Sequence, residues 1–378
     1  MRISTRSAVD SFIVMDVMEA ARAEEAAGRD IVHMEVGQPG TAAPMAARQA
    51  VAQAVLDDPL GYTVALGLPE LRARIARHYA ERHGVEVSAD RIVITEGASA
   101  GFILAFLALF DAGERVGIAD PGYPSYRNIL KAVDLVPERI EGRLDTRFQP
   151  QPSDVNAAMA GLLVASPANP TGSMLDRAAL SALVETCDAK GVSLISDEIY
   201  QGIEFGAQAV SALELTDDVV VVNSFSKYFS MTGWRVGWMV VPQILVRTVE
   251  RLAQNLFICP PHVSQIAALA AFDATEELTA NIEIYARNRA LLLEALPRIG
   301  FRDIAPPDGA FYIYASIAHW GEPARAFCAR MLKEAGVAAT SGLDFDPVRG
   351  GGTVRFSYAG STERIEEAIA RLEAWLAP

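Results

Sequence analysis

Lys227 lies in the string Ser224-Phe-Ser226-Lys227-Tyr-Phe-Ser-Met231-Thr-Gly233-Trp-Arg235-Val-Gly237, a polar turn of small residues between apolar runs at 219–223 and 236–241. A strand end that delivers one amine into such a turn suits attack on an aldehyde, provided burial or nearby cations keep the amine neutral. Arg235 could supply that bias. A second string, Thr95-Glu-Gly97-Ala98-Ser99-Ala-Gly101, opens a helical pattern after another strand-like run, where free backbone N–H groups and the helix dipole favour an anion. Each has a plain alternative: a solvated lysine in a loop, and a glycine-rich turn of no chemical consequence. No GxGxxG fingerprint occurs, which counts against a dinucleotide site.

The elements that must hold these residues are visible in the periodicity. Runs rich in β-branched residues at 91–95, 115–119, 162–166, 192–196 and 219–223 alternate with helical spacing at 98–110, 126–132 and 176–189. Asp176 is placed to cap the last of these helices. The alternation predicts an α/β fold: a mostly parallel sheet covered by helices on both faces in three layers. Ligands bind such sheets at the C-terminal strand ends, where the informative residues cluster. After a helical stretch at 286–296 the pattern changes to Gly309-Ala-Phe-Tyr-Ile-Tyr-Ala315, a helix near 324–335, a strand at 353–357 and a terminal amphipathic helix. This predicts a smaller α+β domain. The expected division is residues 1–44 as an N-terminal arm and part of the small domain, 45–285 as the large domain, and 286–378 as the small one.

With its neighbours in order, the Lys227 string resembles the cofactor-lysine motif of the class I/II, aspartate aminotransferase-like pyridoxal phosphate enzymes of fold type I. The resemblance runs from about residue 31 to the terminal helix. It implies that Lys227 carries pyridoxal 5'-phosphate as an imine and is the catalytic acid and base. Asn169 of Asn169-Pro-Thr-Gly172 and Tyr200 of Ser196-Asp197-Glu198-Ile199-Tyr200 would hydrogen-bond the cofactor's phenolic oxygen. Asp197 would pair with the pyridine nitrogen, keeping it protonated so that the ring accepts electrons. Ala98, Ser99, Ser224 and Arg235 would hold the phosphate, with Glu96 pointing away. Tyr123 of Pro121-Gly122-Tyr123-Pro124-Ser125-Tyr126 would stack on the ring.

For the substrate, the resemblance implies that Arg355 grips the α-carboxylate through a two-point pair, that Asn169 contributes beside it, and that Gly37 of Glu35-Val-Gly37-Gln38-Pro39 offers an unobstructed backbone. Tyr62 would touch the cofactor phosphate of a neighbouring subunit, so a homodimer with shared active sites is expected. Two departures fall in the small domain. Ser341 stands where relatives usually have proline, and Gly350-Gly-Gly352 reads as a loose approach to Arg355.

Composition narrows the partners. Against 33 Lys and Arg stand 47 Asp and Glu, a formal charge of −14, which disfavours nucleic acid and anionic membrane surfaces. The three cysteines, Cys187, Cys259 and Cys328, show no metal or disulfide spacing. No signal peptide and no spanning segment are apparent, and the cytoplasm is the expected compartment. The expected reaction moves an amino group between an L-amino acid and a 2-oxo acid, with 2-oxoglutarate the expected acceptor. The alternative on the same frame is a C–S β-lyase acting on a cystathionine-like substrate. The apolar stretch 254–261 inclines the reading toward aromatic or other apolar donors.

Overall fold

The computed structural model describes residues 1–377. The chain begins with α1 (Ile13–Ala26), β1 (Val32–His33), α2 (Met45–Asp57) and α3 (Pro69–His83). Next come β2 (Ile92–Thr95), α4 (Ala98–Leu109), β3 (Arg115–Asp120), α5 (Pro124–Ala132), β4 (Val136–Glu141), β5 (Gly161–Ala165), α6 (Arg177–Lys190), β6 (Ser193–Asp197), β7 (Val220–Ser224) and β8 (Gly237–Val240). Helices α7 (Val246–Leu256), α8 (His262–Ala271) and α9 (Thr275–Ile299) lead to β9 (Tyr312–Ser316), α10 (Ala324–Ala335), β10 (Val337–Ala338), β11 (Thr340–Ser341), β12 (Thr353–Ser357) and α11 (Thr362–Trp375).

Seven strands form one sheet in the order β2-β8-β7-β6-β5-β3-β4, with β8 antiparallel to both its neighbours and the other pairings parallel. The period of two decides which residue serves which layer. Ile92, Ile94, Leu162, Val164, Leu194 and Val221 pack with α3, α6 and α8 on one face. Val93, Leu163, Ile195, Val220 and Val222 pack with α4, α5 and α7 on the other. Burial on both sides is why these strands are continuous apolar runs. Local signals also hold: Asp176 Oδ1 accepts from the Ala179 N–H at 2.8 Å, and Gly191, left-handed at φ 65°, ends α6.

A second core surrounds the antiparallel sheet β11-β12-β9 and gathers residues of α9, α10 and α11. Here β1 pairs in parallel with β10, Val32 opposite Val337. Helix α9 serves both cores, with Leu278 in the first and Tyr285 and Leu292 in the second. Of the glycine run expected to be loose, Gly350 is tightly packed while Gly351 and Gly352 are half-buried. A Cβ on Gly350 would lie 2.1 Å from the Gly342 carbonyl oxygen, so two loops touch there through bare backbone. No helix among the described residues is long and apolar enough to cross a membrane.

Candidate active site

A cavity of about 350 Å³ opens where the parallel strands end. Strand β2 turns at Gly97 into α4, β3 turns at Tyr123 into α5, β5 leads to Asn169, β6 ends on Asp197, and β7 runs into Ser226 and Lys227. Strand β8 runs the other way, so its entry residue Arg235 arrives at the same rim. Arg355 enters from β12 of the small sheet and Gly37 from the segment after β1. The residues from Gly97 to Arg235 therefore meet because every strand of the seven-stranded sheet but one points the same way, and Gly37 and Arg355 are brought to them by the small sheets.

Lys227 is partly buried, and its Nζ donates to the Gly37 carbonyl at 2.5 Å. Burial, then Arg355 and Arg235, push the amine down to about 8, against the opposing pull of Asp197. At neutral pH an appreciable fraction is unprotonated, the state that attacks a carbonyl. Asp197, 3 % exposed, takes the Ile199 N–H at 3.0 Å and a hydrogen bond from the Tyr126 hydroxyl. Burial lifts its carboxyl to about 6, although Tyr126, the Ile199 N–H and Lys227 all oppose the rise. The neighbouring Glu198 points to the opposite face, where Ser196, Ser211 and the Ala212 N–H satisfy it. Alternation along the strand thus separates two adjacent acids into one aimed at the cavity and one structural.

Arg355 is buried between two aromatic rings, its guanidinium carbon 4.4 Å from the Tyr312 centroid and 4.6 Å from that of Phe345. Its Nη1 donates to Asn169 Oδ1 at 2.9 Å and its Nη2 to the Glu35 carbonyl, while Nε has no partner. Because Arg355 occupies Oδ1, the Asn169 amide has its NH2 donors left to offer. Tyr200 is buried and shares a 2.6 Å hydrogen bond with Tyr312, and its ring centroid lies 5.7 Å from Lys227 Nζ. A Cβ on Gly37 would lie 2.2 Å from the Tyr312 hydroxyl, so glycine is required by a close approach.

At the anion end, α4 starts without a side-chain cap, leaving the N–H groups at Ala98 and Ser99 open. Gly97 has φ +75°, and a Cβ there would lie 2.4 Å from Arg235 Nη2. The guanidinium therefore lies directly against the helix start, placed also by the Thr232 carbonyl, which accepts from its Nη1 at 3.1 Å.

Residues 29–372 match the sequence profile of the aminotransferase class I and II family. The chain belongs to this family. It is 49% identical over 382 residues to the valine–pyruvate aminotransferase of Mycobacterium tuberculosis, covering 99% of this chain and 98% of that protein. Among solved structures, an aminotransferase from Mycobacterium tuberculosis superposes with a TM-score of 0.97 at 48% identity, covering 100% of this chain and 99% of the other. The aspartate aminotransferase of Thermus thermophilus, determined with maleate, superposes at 0.91 and 28% identity, covering 99% and 100%. This protein is a pyridoxal phosphate-dependent aminotransferase of fold type I.

Three features of the cavity fit that cofactor. The uncapped start of α4 beside Arg235 suits a phosphate. The buried Asp197 carboxylate, raised by desolvation, lacks the cation that a protonated pyridine nitrogen supplies. Lys227 has the depressed basicity that covalent attachment to an aldehyde needs.

Of the residues singled out in the sequence, Gly37, Ala98, Ser99, Tyr123, Asn169, Asp197, Tyr200, Lys227, Arg235 and Arg355 line the cavity. Ser224 lies behind the wall: its hydroxyl meets Val236 O at 3.1 Å and Ser226 Oγ at 2.9 Å, and Ser226 forms the surface. Tyr62 is 84 % exposed and outside the wall that one chain builds. Phe257 packs against the core under α4 and α7 instead of the cavity.

Several wall residues escaped sequence reasoning. Tyr126 was findable, three residues after Tyr123 and on the same helical face. Tyr312 stands in the Gly309 string. Phe12, Val14, Met15 and Met18 of the N-terminal segment, with Asp344 and Phe345, carried no chemical signal at all.

Proposed function

We propose that this aminotransferase moves the amino group of an L-amino acid with an apolar side chain to a 2-oxo acid with one carboxylate, of the pyruvate kind. The observation that carries this reading is the distribution of cations. The basic side chains on the wall that one chain builds are Lys227, Arg235 and Arg355, and the cofactor and the α-carboxylate would engage all three. The part of the wall that the N-terminal segment supplies, Phe12, Val14, Met15 and Met18, is apolar, with the acid Asp344 beside it and Gln38 and Thr232 among the uncharged polar residues elsewhere on the lining. A distal carboxylate, as in aspartate or 2-oxoglutarate, would lose water there without gaining a cation. The 2-oxoglutarate expected from the sequence is therefore not the acceptor we favour, and the valine–pyruvate relative supports the same reading.

In this reading Arg355 grips the α-carboxylate with the Asn169 amide beside it, and Gly37 leaves the approach open. Arg235, Ser99 and the Ala98 N–H would hold the phosphate, with Ser224 behind Ser226 supporting that turn. Tyr123 would cover the ring, Asn169 and Tyr200 would hydrogen-bond its phenolic oxygen, and Asp197 would pair with its nitrogen. When bound, the cofactor supplies an electron sink for the pair left at the substrate Cα. Lys227, as a free amine, would take the proton from the substrate Cα and deliver it to the cofactor carbon that had carried the aldehyde, a task suited to an amine near 8.

We also propose that the protein is a cytoplasmic homodimer. Gln265 donates to Thr63 Oγ1 and the Pro260 carbonyl, tying together two segments that expose Tyr62, Val64, Leu256 and Ile258. Such a patch suits a subunit interface, across which Tyr62 reaches the partner's phosphate site. Residues 1–44 and 286–378 then form the small domain and 45–285 the large one.

The test is a matrix of initial rates: valine, leucine, phenylalanine and aspartate as donors, pyruvate and 2-oxoglutarate as acceptors. The apolar donors should exceed aspartate in kcat/KM by about tenfold, since a carboxylate at this half-exposed wall loses part of its hydration without gaining a cation. A preference for aspartate or 2-oxoglutarate overturns the substrate class. Pyruvate and ammonia formed from cystathionine with no acceptor present would overturn transamination in favour of the lyase.

A further inference from the structure

We infer that Asp344 is a positioning residue that sets the donor side-chain subsite by capping α1 from the far end of the chain. The inference rests on the apolar-donor reading above. Helix α1 begins at Ile13 after Phe12, and Phe12 gives it no side-chain cap. The missing acceptor comes from the small domain. Asp344, 1 % exposed, takes the Ile13 N–H on one oxygen at 3.0 Å and the Val14 N–H on the other at 3.3 Å. Its backbone and that of the next residue are fixed from the large domain, with Arg127 Nη2 donating to the Asp344 carbonyl at 2.7 Å and Gly122 N–H to the Phe345 carbonyl at 3.1 Å.

The same short loop holds both ends of a substrate. Phe345 lies against the guanidinium of Arg355, where the α-carboxylate binds, and Asp344 fixes the start of the helix that carries Val14, Met15 and Met18. The distance from carboxylate grip to apolar wall is thus set within two adjacent residues. On the other side Asp10 is held by Asn128, which donates to its carbonyl at 3.1 Å, and by Lys131 at 3.2 Å. Phe12 packs near Tyr123, ring centroids 6.1 Å apart. Residues 10–14 therefore span the cavity mouth between α5 and the Asp344 loop. Apart from these ties, α1 buries little: Ala21 is its one buried side chain. Losing the cap should let the wall retreat while the cofactor end stays in place.

The experiment measures kcat and KM for alanine, valine and phenylalanine with pyruvate, using cofactor-loaded wild type, D344N, D344A, F12A and D344A/F12A. An N-cap contact of ordinary strength predicts that D344A raises KM for valine and phenylalanine about five- to tenfold, with kcat and the alanine KM changing less. D344N should fall between, because its one carbonyl oxygen still accepts. The bound cofactor's absorbance band should match wild type, which separates a moved wall from a damaged cofactor site. The double variant should resemble D344A, since both changes act on one element. An equal rise in KM for all three donors, or effects of D344A and F12A that multiply, overturns the inference.

A wild type that turns over aspartate faster than valine overturns the donor class and this role with it. A wild type that prefers valine, while D344A keeps wild-type selectivity, overturns the role of Asp344 alone. Should D344A fail to fold, F12A decides, because it leaves the buried carboxylate in place: an unchanged ratio of valine to alanine KM overturns the inference.

Discussion

The floor and the wall of this cavity are built on opposite principles. The floor consists of strand ends in one seven-stranded sheet, where Asp197 and Lys227 emerge from β6 and β7 with both faces of the sheet packed. The wall consists of a helix that buries one side chain and a loop whose Asp344 carboxylate accepts from the helix's first backbone N–H groups. Chemistry that tolerates little displacement sits on the rigid part. Discrimination between side chains, worth only a few kcal/mol in an apolar pocket, is left to the part that yields. Rate and preference should therefore be separable by mutation.

The sharpest way to break that separation is at the floor. Lys227→Ala should lower kcat by about a thousandfold or more for every donor, as loss of a positioned acid–base group does. Single-turnover measurements with valine and with alanine should show the same loss; a donor-dependent loss would mean that the floor also selects.

Arg355→Lys comes next. An ammonium cannot serve Asn169 and the Glu35 carbonyl together while lying flat between Tyr312 and Phe345. The expected fall in kcat/KM is about a hundredfold, carried mainly by KM and similar for all donors, which share the α-carboxylate. A loss confined to bulky donors would place Arg355 with the wall.

Asp197→Asn tests what the floor costs in stability. The Asp197 carboxyl rises from 3.8 in the unfolded chain to about 6 in the folded protein freed of cofactor, chiefly through burial. Between these values the folded state keeps a proton that the unfolded state has lost, so stability falls as pH rises through the window, and the full penalty applies above it. At pH 7 that penalty is on the order of 2–3 kcal/mol. Cofactor-free Asp197→Asn should thus melt higher than cofactor-free wild type at pH 7, and the gap should close below about pH 4. Calorimetry across this range checks the sign, and a variant that melts lower at pH 7 would show that the carboxylate is not strained.

The same division explains what the sequence disclosed. Lys227, Asp197, Asn169 and Gly97 each stand in a contiguous string at the end of an apolar run, so strand, turn and reactive residue are written side by side. Asp344 and Ile13 are 331 positions apart, and their contact joins a carboxylate to a backbone N–H group, which has no residue signature. Met15 and Met18 read as ordinary helix residues until the fold places them on the lining of the cavity that Arg355 also enters. Ser224 shows the limit of a motif: the string locates the turn, but which of two serines reaches the surface depends on the Val236 carbonyl, which holds Ser224 back. The apolar character attributed to 254–261 belongs, within one chain, to α1.

The smallest expected effect inverts the wall without touching the floor. Met18 is partly buried on the cavity side of α1, and Met18→Lys would place an ammonium there on a stem of similar length that can extend toward water. A distal carboxylate would then find the cation that the wild-type wall lacks, although solvent and the neighbouring Asp344 both weaken the attraction. A pair exposed to that degree is worth up to about 1 kcal/mol, so kcat/KM for aspartate should rise by about threefold. The valine value should fall by a similar factor as apolar contact is lost, while kcat for alanine stays close to wild type. Measured at low and high salt, the gain for aspartate should shrink as salt rises, because screening acts on the new charge pair and not on apolar packing. A gain that ignored salt would mean that the substitution had moved α1 instead of adding a charge, and the wall would then be less independent of the floor than its thin attachment implies.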